Sequence, residues 1–180
     1  MALMDQNLVF SSGPQIITAT AQSTFAYDIL TGNMLPATGA PYSTNAIIGN
    51  AASFGEDLGL GRGVGTPQIE VFSGPGAPAA ATSLTIQAQG APDALTGNTS
   101  GLAYVVYQQT GPIPVASILA SNRLAAFDFP RRQVGAAMPR FIALNYVVAG
   151  ANFTGLSVSS YINLGSTSAQ NALGQYAANF

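Results

Sequence analysis

Chemistry on a polypeptide begins with its titratable and nucleophilic side chains, and here they are few: seven carboxylates and five arginines, with no histidine, cysteine, lysine or tryptophan. The most adaptable general base, the thiolate nucleophile, the Schiff-base amine and the commonest nitrogen ligand for metals are missing together. Acid/base work would fall to carboxylates. Glu56 and Asp57 are adjacent, so in an extended chain they point to opposite sides, and a solvated loop is the simpler reading. Asp28, Asp93 and Asp128 fall near strand ends or turns, where aspartate commonly bonds its own backbone, and no calcium-loop spacing joins them. "GLGRGVG" (59–65) lacks the spacing of a dinucleotide loop and runs into Thr66-Pro67 rather than a helix. The sequons at Asn98 and Asn152 carry meaning only in a secreted eukaryotic protein. No enzyme, cofactor or metal site is expected.

The arginines are unevenly placed. Arg123, Arg131, Arg132 and Arg140, four of the five cations, stand within eighteen residues. Two readings are open. In one, Arg131 and Arg132 follow Phe129-Pro130 in a loop and pair locally with Asp128 or Asp93, for a modest gain. In the other, their guanidinium forks meet carboxylates or carbonyl oxygens of a partner.

The elements that must position these residues read as strands. Twenty glycines and 11 prolines recur at short intervals, and Thr, Val, Ile, Tyr and Phe fill the spaces between them. Alternation is cleanest in "SLTIQAQ" (Leu84, Ile86 and Ala88 on one face), "FIALNYVV" (Ile142, Leu144, Tyr146, Val148) and "LSVSSYI" (Leu156, Val158, Ile162). Weaker candidates start at Gln15, Thr24, Gln68, Ala103 and Leu124, giving about eight strands. Turns are expected at 73–78, 90–98, 110–114 and 148–155 from their Gly, Pro, Asn and Asp content. Only 114–122 and the Ala-rich end from Ser166 have any helical spacing. The expected fold is an all-β, jelly-roll-like sandwich in one domain spanning 1–180, with a long inserted segment at 31–65 and a carboxy-terminal arm at 165–180.

Totals narrow the partners. Charged residues are 7% of the chain, against about 25% in a soluble domain. No apolar run approaches the roughly 18 residues of a membrane span, and "MALMDQNLVF" has neither the basic leader nor the apolar core of a signal peptide. A formal charge of -2 gives little field with which to attract nucleic acid or an acidic membrane. Charge and lysine are also the usual means of keeping sheet edges from pairing, so a surface this poor in both is safest when neighbours cover it.

The block "FPRRQVGAAMPRFIALNYVVAGANFTGLSVSSYIN" resembles the carboxy-terminal signature of the capsid cement, or decoration, proteins typified by that of a short-tailed Bordetella phage. The likeness lies in Pro130 to Arg132, Arg140 to Ile142, Leu144 to Tyr146, and Gly155 to Ile162. "LVFSSGPQIITATAQSTFAYDI" is similar to the family's opening, and "SLTIQAQ" to its middle strand. Residues 31–65 are longer than the family pattern, and the tail from Gly165 to Phe180 is added.

The resemblance implies a non-catalytic virion protein, made in the host cytoplasm, that sits on the outer surface of the head and bridges major capsid protein subunits. It would work with copies of itself, as a dimer or trimer, without nucleic acid or membrane. Candidate partner contacts are Arg131, Arg132 and Arg140 of the cluster, and Tyr176 and Phe180 of the arm. A different class is a carbohydrate- or receptor-binding module of a phage tail or cell surface, built on Tyr104, Tyr107, Tyr146 and Tyr161; packing within the sheets is the plainer role for these tyrosines.

Overall fold

A computed structural model describes residues 9–11, 13–29, 33–37, 39, 67–92, 99, 101–129 and 139–163. Within them the chain is an all-β sandwich of two antiparallel sheets, as the alternation predicts. The strands are β1 (Gln15–Ile16), β2 (Ala21–Gln22), β3 (Phe25–Asp28), β4 (Asn33–Pro36), β5 (Gln68–Ser73), β6 (Ala79–Ala91), β7 (Val105–Gln109), β8 (Ile113–Pro114), β9 (Arg123–Asp128), β10 (Phe141–Thr154) and β11 (Ser157–Asn163).

The smaller sheet has the order β1-β11-β5-β9 and the larger β4-β3-β10-β6-β7, with β2 on β10 and β8 on β6. β6 and β10 form the spine of the larger sheet, in register from Phe141 opposite Ala91 to Ala149 opposite Ser83. This register puts Leu84, Ile86 and Ala88 on the same inner face as Val148, Tyr146 and Leu144. Leu84, Ile86, Ile142, Leu144 and Tyr146 have no exposed surface, and they meet Ile69, Val71, Val158 and Ile162 of the other sheet in one core. At about 1.5–3 kcal/mol for each fully buried large apolar side chain, this shared interior sets the facing of the strands that line it. A one-residue slip would turn β10's apolar set to solvent. A smaller cluster of Ala26, Ala37 and Ala143, with Tyr104 packed against it, lies apart from this core.

Three expectations differ from the fold. The 148–155 stretch is not a turn: β10 continues to Thr154, with register shifts at Ala149/Gly150 and Gly150/Thr154. Gly150 takes φ 81°, a left-handed conformation open to glycine, so the irregularity sits where the sequence allows it. The reversal comes at Gly155, at φ 76°. In the 114–122 stretch the only helical element is one 3₁₀ turn, Val115–Ser117, ahead of buried Ile118. The third difference is β4, an unforeseen strand within 31–65 that pairs with β3. The rest of that segment apart from Ala37 and Gly39, and the 165–180 arm, lie outside the described residues.

Candidate interaction surface

Arg140 immediately precedes β10, and its side chain is 7% exposed. Its Nε donates to Asp28 Oδ1 at 3.1 Å and its Nη2 to Asp28 Oδ2 at 3.1 Å, a two-pronged pairing with a carboxylate that is itself fully buried. The guanidinium carbon lies 5.0 Å from the Phe141 ring centroid. Its backbone is also engaged: Arg140 N–H donates to Ala91 C=O, and Ile29 N–H donates to Arg140 C=O, both at 2.9 Å. The sequence reading counted Arg140 among the partner contacts. In the fold it ties together the ends of β3, β6 and β10, because an aspartate closing β3 stands beside it.

Arg123, at the start of β9, is a surface residue, 55% exposed, and its Nη1 lies 3.3 Å from Glu70 Oε1. Arg131, Arg132, Tyr176 and Phe180, like Glu56, Asp57 and Asp93, lie outside the described residues. Among those described, no group of three or more carboxylates is placed to hold a metal ion.

The four tyrosines do not form a platform. Tyr146 is wholly buried and donates to Ser160 Oγ at 3.0 Å; burial raises its phenol above the ordinary value, and the Ser160 bond partly opposes that. Burial pushes Tyr104 up to about 12. Tyr161 stacks on Phe72 with centroids 5.7 Å apart, and its phenol is also raised to about 12, by burial and then by the Glu70 charge. Tyr107, on β7, is 38% exposed.

Two features emerge that the sequence did not single out. The first is a row of neutral amides crossing the larger sheet: Gln22, Asn145, Gln87 and Gln109 stand opposite one another on β2, β10, β6 and β7. Asn145 Nδ2 donates to Gln87 Oε1 at 3.0 Å, and Gln87 Nε2 donates to Gln109 Oε1 at 3.0 Å. Gln89 Nε2 adds a 3.1 Å bond to Gln87 Oε1. The register that turns Leu84, Ile86 and Ala88 inward turns Gln87 outward, so the row lies on the outer face.

The second is the rim of this sheet. All five residues of β7 are exposed, with Val105 at 59% and Val106 at 40%. Among the described residues β7 bonds to β6 on one side only, across an irregularity between Ala88 and Gln89. Tyr107 fastens it. A Cβ on Gly90 would overlap the Tyr107 ring and stand 2.7 Å from Pro139 Cβ, so the missing side chain is what lets the ring approach β6 this closely.

These geometries offer hydrogen bonding and apolar contact along a neutral edge, with no assembled acid/base pair among the described residues. No protein-family model matches the chain, and no characterised protein matches it in sequence.

Proposed function

We propose that this chain is a structural, non-enzymatic cement protein of a tailed-phage head, a jelly-roll subunit that binds the outer surface and bridges neighbouring major capsid protein subunits. The observation that carries the reading is the β7 rim, five exposed strand residues with no charge among them at the side of a closed sandwich. A free edge holds unmatched backbone N–H and C=O groups that can take up a strand from another chain. The resemblance supports it from another direction, since the described parts of its three blocks include the strands β1–β3, β6 and β10–β11. A protein repeated over a shell gains its hold from many modest contacts rather than from chemistry.

The test uses heads of the phage that carries the gene, prepared without this protein. Added protein should bind them and raise their resistance to heat. Because apolar area and strand pairing would carry the attachment, added salt should release little of it. Failure to bind, or bound heads no more heat-resistant than bare ones, would refute the reading. Replacing Arg131 and Arg132 together by Ala separates their roles: lost stability of the free protein assigns them to folding, lost affinity for heads to the capsid.

A glycan-binding module is the second reading, favoured by half-exposed Tyr107 on the strand that ends the amide row. Sugar-dependent binding on a glycan array, lost in Tyr107→Ala, would decide for it.

A further inference from the structure

We infer that β7 pairs antiparallel with β7 of a second copy about a two-fold axis at Gln109, merging two larger sheets into one. This rests on the assembly reading above and names the partner of the edge.

Among the described residues the two sheets end in four outermost strands, and three of these are blunted. β1 is two residues long, β4 ends in Pro36, and β9 carries Arg123 and Asp128 at its ends. Shortness, proline and charge are the devices that keep edges apart. β7, "VVYQQ", has none of them and is exposed throughout. A strand of fixed charge repels its own copy; a neutral one does not.

The backbone sets the axis. Thr110 N–H donates to Ile86 C=O at 2.9 Å, so its polar groups face β6. Alternation along the strand then turns the N–H and C=O of Gln109 away from β6. Two copies meeting at Gln109 would exchange both bonds. The side chains agree: Gln109 accepts from Gln87 through Oε1, and its amide nitrogen can donate to the copy's Gln109. The row of four amides would become a row of eight on one face.

A pairing of five-residue strands buries less than the roughly 1,000 Å² of a stable interface, so it is a contact for an array and weak in dilute solution. Covalent capture is the fitting probe. The chain has no cysteine, so one introduced thiol is unique. Residues facing each other in a hydrogen-bonded antiparallel pair have Cα atoms about 5.5 Å apart, within the roughly 4.4–6.8 Å that a disulfide spans.

The experiment oxidises the concentrated full chain carrying Gln109→Cys, with Leu119→Cys, 59% exposed and off the edge, as the reference. Disulfide-linked dimer should form about tenfold faster, or more, from Gln109→Cys. Adding Gln108→Lys, which sets two ammonium groups diagonally across the axis, should return the rate to the reference. Circular dichroism checks that each variant keeps its strands. Equal rates for the two cysteines overturn the pairing, as does fast linkage indifferent to Gln108→Lys. Head binding is measured separately: linked dimers that ignore heads refute the cement reading alone, and binding without linkage refutes the pairing alone.

Discussion

Replacing Arg140 by Ala leaves the Asp28 carboxylate, fully buried, without the two 3.1 Å bonds that face it. Removing one partner of a buried pair costs about 3–5 kcal/mol, because a charge stays behind in a poorly solvating interior. A domain holds only about 5–15 kcal/mol in all, so a large share of the stability goes. For a chain of this length each kcal/mol moves the melting midpoint by about 2–4 °C, which puts the expected drop at about 6–20 °C. Urea unfolding of the free protein, followed by circular dichroism, gives the free energy directly. Arg140→Lys should fall in between, since an ammonium cannot reproduce the two-pronged fork. Arg140→Met combined with Asp28→Leu should recover most of the loss, because no charge is then stranded. A change below about 1 kcal/mol for Arg140→Ala would refute the role of this pair in holding β3 to β10.

Three further outcomes follow from the same structure. Arg123→Ala should cost less than Arg140→Ala, about 1–3 kcal/mol in the same urea assay, because Arg123 is 55% exposed and Asn163 still donates to the buried Glu70 carboxylate. Gly90→Ala should cost about 1–3 kcal/mol and speed amide hydrogen exchange across Val105–Gln109, because the new methyl displaces the Tyr107 ring or Pro139. Alkaline stability should reflect the tyrosines: with no lysine or cysteine, they are the side chains that titrate in that range. Tyr104 and Tyr161 are raised to about 12 in the folded protein, above the ordinary phenol value of about 10. The unfolded chain therefore loses these protons first, so stability is intact below pH 10 and falls as pH rises from about 10 to 12. Tyr146→Phe should shrink that alkaline loss in a pH series of urea melts, while lowering stability at neutral pH through the lost bond to Ser160.

What the sequence disclosed and what it hid divide along physical lines. β6, β10 and β11 were legible because each buries one face, and burial imposes a two-residue period on apolar side chains. The far half of β10 was not. Ala149, Gly150, Ala151 and Asn152 have turn chemistry, but the opening of β6 pairs across Gly150 and Thr154 and keeps the segment extended. β4 was hidden for a related reason, being an edge strand that ends in proline within a stretch rich in glycine and alanine. "QIITAT" has a strand's alternation, yet β1 ends at Ile16, and only the Ile17 N–H to Leu156 C=O bond carries its register on β11 one residue further.

The site was less legible than the fold. Asp28 and Arg140 are 112 residues apart, and nothing local reveals that a charge will find its partner at such a distance. The amide row is likewise a product of register: Gln22, Gln87, Gln109 and Asn145 are ordinary polar positions until four strands align them. The bareness of β7 needed the sheet order, which puts no strand beyond it among the described residues.

The first strands in the chain are partnered by the last. Among the described residues β1 pairs with β11, and β2 and β3 with β10, so these amino-terminal strands have no place to dock until residues 141–163 have been synthesised. Pairings between such distant segments close slowly, and an emerging chain spends that interval with its apolar faces open. Completion of the sandwich thus waits for β10 and β11 to emerge, and a ribosome-bound chain halted before β10 would be a target for chaperones and proteases.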